Sequence, residues 1–179
     1  MDCSARLKAV ADHIVLVDLD KFEKAKQLIT RASGCGGKII IAGNGASAAI
    51  ASHVAVDLTK ASGVRAVNFN EADLITCFAN DYGYEHWIEK ALDFYADAKD
   101  VVILISSSGQ SANIVNAALR AKAMGLAVIT LSGFREGNSL KKLGDINLWV
   151  NSSEYNIVET VHQAWLLAIV DGIAAEKGK

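Results

Sequence analysis

Apolar positions along the chain alternate between helical spacing and short continuous runs. Residues 5–31 carry apolar side chains at helical spacing and predict one or two helices that end near Ser33 and Gly34. Five short apolar runs predict strands at 38–42, 66–69, 101–105, 126–131 and 146–150. The stretches between and after these runs predict helices at 46–60, 71–79, 84–95, 112–124, 138–143 and 156–176.

Strands and helices that alternate in this way form a parallel sheet with helices on both faces. We therefore expect an α/β protein, built as a three-layer sandwich around a five-stranded parallel sheet. No linker or repeat interrupts the pattern, so residues 1–179 are predicted to form one domain. This domain has an N-terminal helical segment at 1–33 and an α/β core at 34–179. Ligands of such sheets bind beyond the carboxyl ends of the strands.

The last predicted helix is apolar on nearly every face, as Val158, Val161, Trp165 and Ile169 illustrate. A helix that is apolar all round is buried all round. A partner subunit would cover it, and we expect the N-terminal helices to pack in the same oligomer. The alternative is a central helix that lies under the N-terminal helix pair.

Composition and charge narrow the range of partners. The formal net charge of −2 does not indicate nucleic-acid binding. No apolar run reaches the length of a membrane span, and the N-terminus has no signal-peptide pattern. The cysteines Cys3, Cys35 and Cys77 form no metal or redox motif. We expect a cytoplasmic protein without nucleic-acid or membrane partners.

The most informative segment is the serine-rich stretch at 106–111, which contains Ser106, Ser107, Ser108 and Ser111. It joins a predicted strand to a predicted helix. The first turn of a helix has free N–H groups and attracts anions, and serine hydroxyls add donors without bulk. A single serine would be an ordinary helix cap, but four serines favour a phosphate site.

The glycine-rich turn at 43–48 follows the first predicted strand and reads Gly-x-Gly-x-x-Ala, as in dinucleotide-binding turns. That interpretation predicts an acidic residue at the end of the second strand, where the chain has Asn68-Phe69-Asn70. A small phosphorylated ligand accounts for both loops, with Asn44 and Ser47 binding its hydroxyls. A tight turn capped by Ser47 is the structural alternative.

These segments resemble the sugar isomerase (SIS) domain family, in particular its phosphoheptose isomerase branch. The matching segments are GNGAS at 43–47, HVAVD at 53–57, FANDYGYE at 78–85, SSSGQSANIVNAA at 106–118, VITLSG at 128–133 and IVETVH at 157–162. The resemblance implies a flavodoxin-like fold and a homotetramer with active sites at subunit interfaces. It also implies an isomerase that interconverts a ketose phosphate and an aldose phosphate through an enediol. The expected pair is sedoheptulose 7-phosphate and D-glycero-D-manno-heptose 7-phosphate.

The resemblance also implies roles for individual residues. The phosphate-binding loop of the family falls on Ser106, Ser107, Ser108 and Ser111. The expected substrate contacts fall on Asn44, Gly45, Ser47 and Asp81. The catalytic glutamate of the family falls on Asp57, which is one methylene shorter, and its metal-binding histidine falls on His53.

The spacing of His53 and Asp57 is compatible with chemistry. Isomerisation needs a base beside the reacting carbon and a group that polarises the carbonyl. Residues four apart share one helix face, so this pair could supply a base or bind a metal. Taken without the family resemblance, the same spacing also fits an ordinary solvated helix face.

The last helix departs from the enzyme pattern at three positions. Glu159 stands where the isomerases have a glutamine, Leu167 where they have a second catalytic histidine, and Asn156 where they have an aspartate. We expect Glu159 to act in catalysis with Asp57 and His53. The same three side chains could bind zinc or another divalent ion, although no cofactor is required.

The missing histidine leaves two functions open. One is the isomerase, and the alternative is a non-catalytic phosphosugar-binding module that acts as a regulator or protein-binding partner. His162 lies on another face of the helix than Leu167 and is interpreted as a buried core histidine. His86 and Glu85 are interpreted as members of a solvated loop.

Overall fold

The computed structural model describes residues 2–178, so the first and last residues of the predicted domain lie outside it. The strands are β1 (Ile39–Gly43), β2 (Ala66–Asn68), β3 (Val101–Ser106), β4 (Ala127–Ser132) and β5 (Ile146–Trp149). The helices are α1 (Cys3–Ile14), α2 (Leu19–Gly34), α3 (Ala46–Lys60), α4 (Ala72–Tyr82), α5 (Trp87–Tyr95), α6 (Ala112–Ala123) and α7 (Tyr155–Glu176). A short 3₁₀ helix lies at Leu140–Lys142.

The strands form one parallel sheet in the order β2-β1-β3-β4-β5. This is the strand order of flavodoxin-like folds. The register pairs Gly43 with Ile105, and Ser106 with Ser132. The loops after β1, β3 and β4 therefore leave the same edge of the sheet side by side. The predicted five-stranded parallel sheet is confirmed.

Alternate side chains of the central strand β3 enter two separate cores, because successive residues of a strand face opposite sides. Ile103 and Ile105 pack with α2, α3 and α7. Val102 and Leu104 pack with α5 and α6. Helices thus cover both faces of the sheet, which confirms the three-layer sandwich.

Helix α7 is buried along one broad stripe rather than on every face. Its buried side chains are Ile157, Val158, Val161, His162, Trp165, Leu166, Ile169, Val170 and Ile173. They pack against α1, α2 and α3, and the Trp165 Nε1 donates to the Ile14 carbonyl at 2.8 Å. The alternative of a central helix under the N-terminal pair therefore accounts for most of its apolar surface, and all-round burial by a partner is not required.

The length and composition of α7 also fit a membrane span, although no apolar run of that length was expected from the sequence. The helix has 22 residues and a window with mean hydropathy 1.3. However, 56% of that window is buried inside the fold. Core helices of globular proteins have the same length and composition, and this burial identifies α7 as such a helix.

Two predicted helices are shorter in the structure. The helix expected from residue 84 begins at Trp87, because Gly83 has a φ of 89° and the chain forms a turn in which the His86 N–H donates to the Gly83 carbonyl. The helix expected at 138–143 is only the 3₁₀ turn Leu140–Lys142. There the Asn138 side chain bonds to surrounding backbone and competes with helical bonding.

Candidate active site

The serine loop, residues 106–111, connects the carboxyl end of β3 to the first turn of α6. The Ser106 hydroxyl donates to the Ser111 Oγ at 3.2 Å, and the Ser108 Oγ accepts from the Gln110 N–H at 3.2 Å. Ser111 is the N-cap of α6, yet its side chain makes no capping hydrogen bond. Its hydroxyl is therefore available to a ligand at the positive end of the helix.

A small polar cavity of about 110 Å³ lies above this loop. We call it the serine pocket; it is lined by Asn44, Ser47, Ile105, Ser106, Ser107, Ser108, Ser111, Tyr155 and Glu159. Hydroxyls and the helix terminus, rather than a lysine or arginine, supply the anion-attracting groups of its lining.

The glycine-rich turn forms the second wall of the serine pocket. A Cβ on Gly43 would come within 2.6 Å of the Ser47 side chain, so glycine lets β1 and α3 approach closely. Asn44 and Asn113 exchange two amide hydrogen bonds of 2.9 and 2.8 Å, and the Tyr84 hydroxyl donates to Asn44. Gly45, not Ser47, is the N-cap of α3, and no side chain caps this helix. The alternative of a turn capped by Ser47 is wrong.

A larger cavity of about 580 Å³ adjoins the serine pocket between α3 and α7. We call it the main cavity; it is lined by Ala46, Ala49, Ile50, Asn156, Glu159, Thr160, Gln163, Ala164 and Leu167. Glu159 borders both cavities, and its Oε1 lies 3.5 Å from the Ser107 hydroxyl. A ligand with a charged end and a polyol chain could occupy the two spaces together.

His53 and Asp57 meet on α3, beyond the part of the helix that lines the main cavity. The His53 Nε2 lies 3.1 Å from the Asp57 Oδ2, and the Gln163 amide nitrogen lies 3.1 Å from the His53 Nδ1. An amide nitrogen only donates, so the Nδ1 accepts and the Nε2 carries the hydrogen that bonds Asp57. Two consecutive hydrogen bonds thus connect Gln163, at the wall of the main cavity, to His53 and then His53 to Asp57.

Glu159 does not join this pair. Within residues 2–178, no three histidine, cysteine, aspartate or glutamate side chains converge as metal ligands. Zinc sites use at least three protein ligands, and α3 offers two here. The residues of one chain therefore do not fit the predicted three-ligand metal site of His53, Asp57 and Glu159.

Three further residues lie away from the two cavities. Asp81 is exposed on α4, where its carboxylate accepts from the Asn80 amide at 2.9 Å. The His86 Nδ1 lies 2.9 Å from Glu89 at the start of α5. Neither side chain lines the serine pocket or the main cavity of its own chain. His162 is fully buried, as predicted.

Sequence reasoning missed several polar contributors to the site. Tyr155 lines the serine pocket, Gln163 lines the main cavity, and Asn113 bonds to Asn44. Glu159 and Gln163 are four residues apart, so helical spacing from the predicted Glu159 could have identified Gln163. Asn113 is 2% exposed in the first turn of α6, and a polar residue on the buried face of that turn was the available signal.

The SIS domain model matches residues 4–133. A phosphoheptose isomerase from Syntrophotalea carbinolica is 34% identical over 177 residues, covering 95% of this chain and 89% of the relative. One from Helicobacter pylori is 35% identical, covering 76% of the chain and 74% of the relative. The solved phosphoheptose isomerase GmhA from Neisseria gonorrhoeae superposes with a TM-score of 0.87 at 29% identity, covering 95% and 94% of the two chains. The chain therefore belongs to the SIS domain family, and within that family it is related to the phosphoheptose isomerases.

Proposed function

We propose that this protein is an aldose–ketose isomerase that interconverts sedoheptulose 7-phosphate and D-glycero-D-manno-heptose 7-phosphate. The observation that carries the proposal is the pair of adjoining cavities, one small and hydroxyl-lined and one larger. The phosphate would bind in the serine pocket and the sugar chain in the main cavity. The names and the similarity of the phosphoheptose isomerases support this choice of substrate.

The proposed position of the phosphate suggests where the chemistry would take place. In a heptose 7-phosphate, the reacting carbons C1 and C2 lie at the opposite end of the molecule from the phosphate. His53 is seven residues beyond Ala46 on α3, or about 10 Å along the helix axis. The hydrogen-bonded residues Gln163, His53 and Asp57 therefore lie on the side of the main cavity where C1 and C2 would be expected.

In the proposed reaction, the Asp57 carboxylate removes a proton from C1 of the ketose phosphate and returns it to C2 by way of the enediol, while the proton of the C1 hydroxyl passes to the C2 oxygen. The hydrogen bond from His53 orients this carboxylate. Glu159 lies between the two cavities and would bind hydroxyls of the sugar chain.

We propose that the reaction needs no metal, because α3 brings only two ligands together. Elemental analysis and activity after chelation test this point, and stoichiometric zinc whose removal abolishes turnover would contradict it.

Two measurements test the proposed function. Calorimetry should detect binding of sedoheptulose 7-phosphate and none of sedoheptulose; equal affinity for both would contradict the phosphate site.

The Asp57→Asn variant should lower turnover by roughly 10²–10⁴-fold and leave phosphate affinity unchanged. Asp12→Asn, at an exposed aspartate of α1, is the matched control. An unchanged rate in Asp57→Asn would exclude Asp57 as the base.

Leu167 supports a second candidate function. It lines the main cavity at the position where the resemblance implies a catalytic histidine, and a leucine cannot transfer a proton. The chain could then bind a phosphosugar and act as a regulator or protein-binding partner. Tight binding without turnover across a panel of ketose and aldose phosphates would favour this function over the isomerase.

We further propose that the chain forms a homo-oligomer, with the homotetramer of the resemblance as the expected state. Helix α1 has no buried residue, and large apolar side chains near it are exposed. These are Leu7, Val15, Leu16 and Leu19, each more than 70% exposed. Such a concentration of apolar surface is typical of a protein–protein contact. The cytoplasmic location stays a prediction.

A further inference from the structure

Asn138 is a fully buried residue in the segment that follows β4. Its Nδ2 donates to the Ser132 hydroxyl at 3.2 Å and to the Gly133 and Arg135 carbonyls at 3.2 and 2.9 Å. Its Oδ1 accepts from the Lys141 N–H at 2.8 Å. One side chain thus fixes both ends of the segment 133–141, which we call the support loop.

The support loop holds the backbone of the serine loop at two points. The Gly133 N–H donates to the Ser107 carbonyl at 2.9 Å, and the Leu140 N–H donates to the Gly109 carbonyl at 3.0 Å. Asn138 also packs directly on Gly109, where an added Cβ would lie 2.0 Å from the Asn138 Oδ1. Gly109 has a φ of 63°, a conformation that glycine adopts without strain.

We propose that Asn138 is a positioning residue for phosphate binding. It lines neither cavity, but through Ser107 and Gly109 it determines where the serine hydroxyls lie. Hydrogen bonds weaken steeply when their distances and angles depart from the favoured range, so a displaced loop binds phosphate less well. This inference rests on the proposed phosphate site and adds the residue that aligns it.

The test is calorimetric titration of the full-length protein with inorganic phosphate, which requires no turnover. Asn138→Ala should raise the Kd about tenfold or more, the loss expected when a well-aligned hydrogen bond is lost. Asn138→Asp keeps the size and the Oδ1 acceptor but turns an oxygen toward two carbonyls, and it should also weaken binding. In an activity assay, the KM for the sugar phosphate should rise while kcat changes little.

Asn147→Ala is the matched control. Asn147 is another asparagine that binds backbone and hydroxyl groups, at Thr130. It shares one weak contact with Asn138, the Ser132 hydroxyl at 3.4 Å, but it bonds to neither the support loop nor the serine loop. Its replacement should lower the thermal unfolding temperature and leave the phosphate Kd unchanged. If Asn147→Ala weakens phosphate binding as much as Asn138→Ala, the effect is structural and the positioning role is wrong.

The remaining outcomes distinguish a failure of the phosphate site from a failure of the positioning role of Asn138. If the wild type binds no phosphate, the phosphate site and the proposed function fail together. If the wild type binds phosphate and a folded Asn138→Ala binds it equally well, only the positioning role fails. If Asn138→Ala does not fold, Asn138→Ser, in which a short hydroxyl replaces the amide, is measured instead, and an unchanged Kd overturns the role.

Discussion

His162 is a buried histidine with only half of its hydrogen-bonding capacity in use. Its Nε2 donates to the Ser132 carbonyl at 3.1 Å, whereas its Nδ1 has no partner within residues 2–178. Burial lowers the pKa of this imidazole from 6.5 to about 4, although the bond to Ser132 acts in the opposite direction. The ring is therefore neutral in the folded protein at neutral pH.

This pKa predicts an acid-sensitive contribution to stability. The folded pKa is below the unfolded one, so the contribution is complete above pH 6.5 and is lost as the pH falls toward 4. The loss should reach about 3 kcal/mol. Urea unfolding at several pH values checks it. His162→Gln, which can still donate to Ser132, should lack this part of the pH dependence, and an identical dependence in the variant would contradict the assignment.

Leu167 offers a gain-of-function prediction. It lines the main cavity with Glu159 and Gln163, so a histidine there could exchange protons with the substrate. Leu167→His should raise kcat, by up to about 10²-fold if the histidine becomes a general acid or base. The kcat of the variant should also acquire a titration near neutral pH. Leu167→Asn is the control, since it is polar but does not titrate; an equal increase in both variants would argue against proton transfer.

The sequence predicted candidate site residues where their chemistry is distinctive. Four clustered serines indicated an anion site, and the structure gathers all four in one pocket. Asn138 and Gln163 were not identified, because an amide side chain gives no signal of its partners before the chain is folded. The sequence predicted that Leu167 departs from the family pattern. Its place in the wall of the main cavity could be recognised only from the structure of α7.

At the level of elements, strongly patterned segments were predictable and weakly patterned ones were not. β-branched runs located β1 and β3 within one residue, and α3 has the predicted bounds. The start of α5 was misplaced by three residues, because a left-handed glycine and a turn interrupt the helical pattern. The sequence left two alternatives for the N-terminal helices, because the contacts between α1 and α7 join elements that are distant in sequence.

The packing of α1 on α7 predicts the effect of two substitutions. Trp165 is 4% exposed and bonds to the Ile14 carbonyl at the end of α1. Trp165→Ala should cost about 3–5 kcal/mol of unfolding free energy through the cavity it leaves. Trp165→Phe retains most of the packing and should cost about 1 kcal/mol for the lost hydrogen bond. Denaturant unfolding distinguishes them, and equal losses would mean that the indole hydrogen bond dominates.

At the scale of the whole molecule, the sheet order brings the loops after β1 and β3 to adjacent positions. Helices α3 and α7 both leave this edge, and the two cavities lie beside them. One chain therefore supplies the serine pocket and the wall of the main cavity. Asp81 and His86 lie elsewhere on its surface, so a contribution from either requires another copy of the chain.

The exposed apolar side chains near α1 give the last prediction. If they form a subunit contact, the wild type is an oligomer by light scattering, and charge at the contact should dissociate it. Leu7 and Leu16 are 71% and 72% exposed, so Leu7→Glu combined with Leu16→Glu should leave the fold intact and lower the mass. Lys8→Glu, at an exposed polar position of α1, is the control and should keep the oligomer.

Activity of the dissociated variant then decides whether the site is complete in one chain. If a partner contributes residues, turnover should fall with the mass while inorganic phosphate still binds in the serine pocket. Retained turnover in a monomer would instead show that α3, α7 and the serine loop suffice. A wild type that is monomeric at micromolar concentration would remove the interface site from consideration.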